Sequence, residues 1–371
     1  MIKLFAVVNG TILEDLGENL TPTYTRIHYL LKELQNLKEV EVRFIPYKQI
    51  FGQGIMNIIF NNMIKTIVFI YTFLFLITTK PKVYFAYPHS ITNIQGLILF
   101  KLAKLFKFDI ILDVQDTIEQ GQAIGKTKGI FNETIEEYCL KNAKLILALN
   151  KQMLEHLKEK YRLGEAIRTA IINNAYEEEM LEFYPDSYKS VGIRFNICYI
   201  GAITINRGVD ILINACKNLH ESYSFLKLHL FAPKKTIDEG LFGEIEHCKF
   251  IIIQEIPRKE IPIALKEMDL LVMPYNPNIG YLNSSSPTKF FEYIGTAKPI
   301  LCTRCESLLD IGKNDSILYT EYDQSEFEKN IEYLIINPAI REKMSKKLMG
   351  IRSNHTWKER AKLFNEAIKY I

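Results

Sequence analysis

Asn283-Ser-Ser-Ser-Pro-Thr-Lys-Phe-Phe-Glu-Tyr-Ile-Gly-Thr-Ala-Lys-Pro-Ile-Leu301 holds a turn, a helix and the next strand in nineteen residues. Ahead of it runs Met268-Asp-Leu-Leu-Val-Met-Pro-Tyr275, an apolar run too short for a helix and closed by proline, which predicts a buried strand. Ser286 offers an N-cap hydroxyl, Pro287 is pre-set for the first helical position, and Phe290, Phe291 and Ile294 supply an apolar face. A helix therefore opens directly off a strand end. Its first N–H groups lack partners within the helix and carry the positive end of the dipole, which makes an anion site. Lys289 is expected to add a full charge there. Glu292 sits on a helix otherwise buried by aromatics, and a buried carboxylate is costly unless donors meet it. A ribose diol brings two hydroxyl donors. Phosphate plus ribose is a nucleotide, and two charges suggest a diphosphate.

Ser286-Pro-Thr-Lys-Phe-Phe-Glu-Tyr293 resembles the Ser-Pro-Thr-Lys-x-x-Glu-Tyr version of the donor-site motif in retaining glycosyltransferases of family 4, the variant seen in bacterial surface-polysaccharide enzymes. That family has the two-domain GT-B fold. The resemblance implies that Glu292 holds the ribose of a nucleotide sugar and that Ser284, Ser285, Ser286 and Thr288 line the donor. The usual motif has a second glutamate eight positions earlier, contacting the donor sugar, where this chain has Ser284. The departure bears on sugar recognition rather than on nucleotide binding. A plain capped helix, with a surface lysine and a glutamate bridged to a neighbour, is the alternative reading of the same residues.

At 371 residues the chain exceeds what one core usually organises, so two domains are expected. Hydrophobic residues make up 48% and charged residues 24%, an ordinary globular composition that excludes a disordered chain. The net charge of +3 selects no partner. Six cysteines lie scattered in apolar runs without framework spacing, which suits a reducing cytosol. Cys302-Thr-Arg-Cys305 has redox or zinc spacing but no second pair or histidine cluster, and reads as strand-end cysteines. Strand-like Ile2-Lys-Leu-Phe-Ala-Val-Val8 stands at the start, so no secretory signal is expected ahead of it.

The first half alternates strands and helices. Ile2 to Val8 leads through Asn9-Gly10 and a polar stretch into helical spacing at Tyr24, Ile27, Leu30, Leu31 and Leu34. Strands are expected at Val40 to Ile45, Lys82 to Tyr87, Asp109 to Val114, Leu145 to Leu149 and Thr169 to Asn173, with a helical run at Ile94 to Phe108. The pattern predicts a doubly wound parallel sheet with sites at the carboxyl ends of its strands.

Two features of this half point to function. Asp113 and Asp116 flank Gln115 at a strand end, and the family often has a His-Asp or Arg-Asp pair where this chain has Gln115-Asp116. Asp116 is the candidate for contacting the acceptor hydroxyl or the donor sugar; a strand-end aspartate capping the next helix is the alternative. The second feature is charge. From Val42 to Phe108 there is no acidic residue but eight basic ones: Arg43, Lys48, Lys65, Lys80, Lys82, Lys101, Lys104 and Lys107. Thr66 to Thr79 is uncharged, fourteen residues against the roughly 20 that span a bilayer. Such a stretch can lie in the membrane interface, or it can be a crossover helix buried against the sheet.

Between about Tyr184 and Arg194 the pattern lapses into Pro-Asp-Ser-Tyr-Lys-Ser-Val-Gly, which reads as a linker. Phe195 to Ile200 starts a new strand that ends in Gly201-Ala-Ile-Thr-Ile-Asn-Arg-Gly208 and passes into a helix at Val209 to Leu219. Glycine at such a turn admits a ligand close to the backbone, and Arg207 can grip a phosphate with two donors. By resemblance, Gly201 followed by Arg207-Gly208 opens the nucleotide domain. The family usually has arginine after the first glycine, where this chain has Ala202, and Lys289 is placed to compensate. Further strands are expected at Lys227 to Ala232 and Phe250 to Ile253. In the family the backbone around Ile256 borders the base. His355 to Tyr370 puts Trp357, Ala361, Phe364 and Ile368 on one face and resembles the terminal helix that crosses back to the first domain.

The expected architecture is α/β, with two Rossmann-like doubly wound domains facing a cleft in the GT-B manner. Residues 1–185 form the acceptor domain, 186–350 the nucleotide-sugar domain, and 351–371 a helix packing back on the first domain. The expected activity is a retaining transfer from a nucleotide-diphosphate sugar to a lipid-linked saccharide, in bacterial envelope polysaccharide synthesis on the inner face of the cytoplasmic membrane. Arg207, Lys289 and the helix start stabilise the leaving diphosphate, with Asp116 as third catalytic candidate. No cofactor beyond the donor substrate and no metal is required, since no ligand cluster has recognisable spacing. Partners are then the donor, a saccharide or lipid-linked saccharide acceptor and a membrane surface through 42–108, with no nucleic acid. A non-catalytic nucleotide-binding or scaffold member of the fold is the rival, resting on Ser284, Ala202 and Gln115. An epimerase of the same fold is disfavoured because no acid and base pair stands out.

Overall fold

The computed structural model describes residues 1–7, 22–44, 67, 71, 74, 77–79, 81–91, 94–123, 132–184, 194–283, 285–309, 311 and 315–371. The chain divides into two compact units, Met1–Asn173 with Arg360–Ile371, and Asn174–Glu359.

The first unit is built on β1 (Ile2–Val7), β2 (Val40–Phe44), β3 (Lys82–Tyr87), β4 (Ile110–Val114), β5 (Leu145–Ala148) and β6 (Arg168–Ile171). All pair in parallel, in the order β2-β1-β3-β4-β5-β6. Val83 to Tyr87 is buried without a break, as a central parallel strand covered on both faces must be. One face packs Phe85, Leu112 and Ile146 against Phe100, Leu140 and Leu157 from flanking helices. On the other, Phe364 of the C-terminal helix Trp357–Lys369 meets Tyr84 at 6.0 Å between ring centres, and Asn365 donates to Glu39 at 2.9 Å.

The second unit carries β7 (Phe195–Ile200), β8 (Leu226–Phe231), β9 (Ile251–Gln254), β10 (Leu270–Met273), β11 (Ile300–Thr303) and β12 (Leu318–Thr320). Their order is β12-β11-β10-β7-β8-β9. The chain thus runs outward from β7, returns to β10 on its other side, and runs outward again. Connections leave β7 and β10 toward opposite edges, so a crevice forms outside their carboxyl ends, where ligands of open α/β sheets bind. Strand side chains alternate between faces. Ile197 and Tyr199 pack with Leu212 and Ile213 of the helix Val209–Ser222, while Cys198 packs with Leu271, Phe291 and Ile294.

Two boundaries differ from the sequence expectation, and the segment that returns to the first unit begins at Arg360 rather than 351. The first unit ends at Asn173 rather than 185, because residues 174–184 pack into the second unit. The Tyr176 hydroxyl donates to the Arg352 carbonyl at 2.7 Å and the Tyr184 hydroxyl to the Pro262 carbonyl at 2.8 Å, and both rings are buried. The expected linker at 185–193 lies outside the described residues.

Candidate active site

The loop leaving β7 begins at Gly201, whose φ of +123° few L side chains adopt. A Cβ there would stand 2.9 Å from Lys289 Nζ and 3.6 Å from Arg207 Nη1. Two basic side chains thus meet over a residue without a side chain. A short 3-10 turn, Ile205–Arg207, leads to Gly208 with φ +67°. A Cβ on Gly208 would lie 1.9 Å from the Pro274 carbonyl oxygen, so only glycine lets this loop rest against the end of β10. Held there, Arg207 Nη1 donates to the Tyr275 hydroxyl at 3.2 Å.

Lys289 comes from the helix Thr288–Thr296, all nine residues of which are buried. Its Nζ donates to the Ile200 carbonyl at 2.6 Å and stands 4.0 Å from the Tyr199 ring centre and 4.9 Å from that of Tyr275. Among the described residues neither Lys289 nor Arg207 has a carboxylate within ion-pair distance. Burial pushes the Lys289 ammonium well below its ordinary pKa, and the positive charge of Arg207 pushes the same way. Both effects work against the full charge that the sequence reading assigns to Lys289, and the Glu292 carboxylate works for it.

The helix start also departs from expectation. Pro287, with ψ 127°, is the extended N-cap residue, and no side chain caps the helix. The first turn begins at Thr288, so Ser286 stands one residue too early to cap it. Instead the Ser286 hydroxyl accepts the Asn174 N–H at 3.3 Å and its carbonyl accepts the Asn174 side chain at 2.5 Å. Ser285 donates its hydroxyl to the Leu282 carbonyl at 2.9 Å. The hydroxyl of Thr288 is buried and has no partner among the described residues, next to the N-terminal N–H groups. Ser284 lies outside the described residues.

Glu292 is 4% exposed, and its Oε1 accepts Arg258 Nη2 at 2.9 Å. Burial raises its pKa, opposed by the Arg258 charge. The pairing that its burial demanded is thus met by an arginine. Ile256, two residues before Arg258, is half-buried against the core that holds the helix.

These donor-site candidates all belong to the second unit, whereas Asp116 belongs to the first. Asp116 is half-buried, two residues before the helix Ile118–Ala123. Asp113 beside it is fully buried and saturated: Arg26 contacts it at 2.7 and 3.0 Å, Tyr84 at 2.6 Å and Gln115 at 3.0 Å. Those bonds make Asp113 a structural anchor. Sequence reasoning missed Arg258, Glu177, Asn174 and the two tyrosine rings under Lys289. Tyr275 alone carried a signal, as the residue after the proline that closes the strand run.

Residues 194–337, which include every strand of the second sheet, match the family described as glycosyl transferases group 1. No curated protein sequence matches the chain significantly. Among solved structures, the chain is similar to Anabaena HepE in complex with UDP-glucose, at 11% identity and a TM-score of 0.66 over 100% of both chains. It is also similar to a glycosyltransferase from Rickettsia africae, at 10% identity and a TM-score of 0.65 over 100% of this chain and 97% of the other. For S. aureus MnaA with UDP the values are 14% and 0.56, over 100% and 96%. At such identities the likeness speaks for the fold. Residues 194–337 thus resemble a glycosyltransferase domain, and the two doubly wound sheets of the chain are those of the GT-B fold.

Proposed function

We propose that the protein moves a sugar, with retention of anomeric configuration, from a nucleotide-diphosphate sugar to a lipid-linked saccharide in bacterial envelope polysaccharide synthesis. The observation that carries the donor half is the meeting of Arg207 and Lys289 over Gly201, at the switch point between β7 and β10. A buried lysine and a half-buried arginine, with no carboxylate in ion-pair distance among the described residues, are costly side by side and are stabilised by a dianion set between them. The N-terminal N–H groups of the helix Thr288–Thr296 and the orphan Thr288 hydroxyl add donors. Glu292 then receives the ribose hydroxyls.

In this reading the bond from the anomeric carbon to the leaving phosphate oxygen breaks as the acceptor hydroxyl bonds to the same face. The acceptor's proton passes to the leaving phosphate. Arg207 and Lys289 hold the diphosphate charge as it develops, placed beforehand by the fold. Asp116 is assigned to the acceptor hydroxyl or the donor sugar. The complexes of HepE and MnaA put uridine nucleotides first among donors to try.

The membrane half of the proposal rests on the first unit. Within the acid-free stretch, Ile67, Tyr71 and Leu74 are helical and 62%, 69% and 56% exposed. Leu105 and Phe106 are exposed beside Lys104 and Lys107. Among the described residues no helix is long and apolar enough to cross a membrane. Apolar side chains set among cations suit an interfacial contact with anionic lipid.

The test is release of nucleotide from a panel of nucleotide sugars, followed by transfer to lipid extracts and assignment of the product anomer by NMR. Retained configuration in a lipid-soluble product is the expected result. An inverted anomer overturns the retaining assignment, and binding without turnover on any donor favours the scaffold reading.

A further inference from the structure

Arg258 lies on the short turn Arg258–Glu260 that follows β9, directly after Pro257. One nitrogen of its guanidinium, Nη2, lies 2.8 Å from Glu177 Oε1 and 2.9 Å from Glu292 Oε1. Glu177 comes from the start of the second unit, just ahead of the helix Met180–Phe183, and its second oxygen is buried without a partner among the described residues. Three distant parts of the sequence therefore meet at the one carboxylate assigned to the ribose. A lone cation held between two carboxylates is fixed in position more tightly than in a simple pair, because moving toward one acid lengthens its bond to the other.

We propose that Arg258 is a positioning residue for ribose recognition, holding the Glu292 carboxylate charged and aimed at the sugar diol, with Glu177 as the anchor of Arg258. The inference rests on the donor reading given above. Glu292 is buried, and without a cation beside it desolvation favours the neutral acid. A neutral carboxyl gives up one acceptor position to its own proton and binds two hydroxyl donors poorly. The Arg258 charge opposes that neutralisation through its contact at Glu292 Oε1. The second oxygen of Glu177 offers a further acceptor next to the same diol.

The experiment compares UDP, ADP and GDP with the 2′,3′-dideoxy form of whichever binds best, by calorimetry, on wild type, Arg258→Met, Arg258→Lys and Glu177→Gln. Hydrogen bonds to a charged group are worth enough that the wild type should prefer the ribose form by about tenfold or more. Arg258→Met should lose most of that preference, with affinity for the ribose form falling further as the pH is lowered, while the dideoxy form binds as before. Arg258→Lys should recover part of the preference, and Glu177→Gln should keep an intermediate share. Thermal melting establishes that each variant is folded; should Arg258→Met fail to fold, Arg258→Lys and Glu177→Gln carry the comparison. An undiminished preference in the folded variants overturns the role of Arg258 and leaves the donor reading standing. Wild type that binds a nucleotide without preferring ribose overturns the assignment of Glu292 and this inference with it. If none of the nucleotides binds wild type, the donor reading itself fails.

Discussion

The ammonium of Lys289 stands 4.0 Å from the centre of the Tyr199 ring, with the Ile200 carbonyl 2.6 Å away and Arg207 as its charged neighbour. A ring face and one carbonyl compensate only part of the lost hydration, and a second cation works against it. The fold therefore holds Lys289 where its charge is disfavoured and where a diphosphate would favour it. Replacing Lys289 with Met should lower turnover by about 10²–10³, as for loss of one oxyanion donor. The same change should raise the thermal midpoint of the protein alone, since it removes a buried basic group. A lower midpoint with turnover retained would show that Lys289 is structural.

The protonation of Lys289 should also respond to ligand. Its pKa is depressed in the folded protein, so between that value and about 10.4 the unfolded chain binds more protons. The contribution of this group to stability accordingly rises with pH across that window, and Lys289→Met should flatten the rise. A bound diphosphate reverses the balance by favouring the ammonium. Calorimetry in buffers of different ionisation heat should then report net proton uptake on nucleotide binding, absent in Lys289→Met. Equal heats of binding in all buffers would mean that Lys289 keeps one protonation state throughout.

The two glycines should separate stability from function. Gly208→Ala places a Cβ 1.9 Å from the Pro274 carbonyl oxygen in a left-handed conformation, which costs at least about 1–2 kcal/mol before the clash is counted. Chemical denaturation should show that loss directly. At Gly201 the nearest obstacle to a Cβ is the flexible end of Lys289, so Gly201→Ala should displace the ammonium and lower turnover more than it lowers stability. Equal losses of stability at both positions would remove the distinction.

The strands were legible because parallel strands buried on both faces are unbroken apolar runs; Lys82–Tyr87 reads from sequence with the same ends as in the fold. Gly201, Arg207 and Lys289 were legible as members of motifs. What escaped was set by contacts between distant residues. Tyr176 joins the second unit through the Arg352 carbonyl, and Arg258 reaches Glu292 and Glu177, and no local pattern announces either. The weakened charge of Lys289 depends on rings from β7 and from the loop after β10, which a helix motif cannot reveal. Ser286 was misassigned because Pro287 stays extended and defers the helix by one residue.

The basic stretch makes the last prediction, and the structure changes which lysines should be tested. Lys82 is mostly buried, paired with Asp109 at 3.4 Å and donating to the backbone oxygen of Ile371, so it is a poor choice for a lipid contact, and Arg43 is already paired with Glu41 at the surface. Lys65 and Lys80 lie outside the described residues. Lys101, Lys104 and Lys107 are exposed along and just past the helix Ile94–Leu105, next to the exposed Leu105 and Phe106. Each basic residue near an anionic surface contributes about 1 kcal/mol, screened over about 8 Å at physiological ionic strength. Sedimentation with phosphatidylglycerol vesicles should therefore show binding that weakens with salt, and phosphatidylcholine vesicles should bind less. Changing Lys101, Lys104 and Lys107 to Glu should release the protein, and changing Leu105 and Phe106 to Ser should weaken what binding survives at high salt. Nucleotide release in solution should stay nearly unchanged in both sets, because these residues belong to the first unit and the donor candidates to the second. If the wild type fails to sediment with anionic vesicles at low salt, the exposed side chains are ordinary solvated surface, and a soluble saccharide replaces the lipid-linked one as the acceptor to pursue.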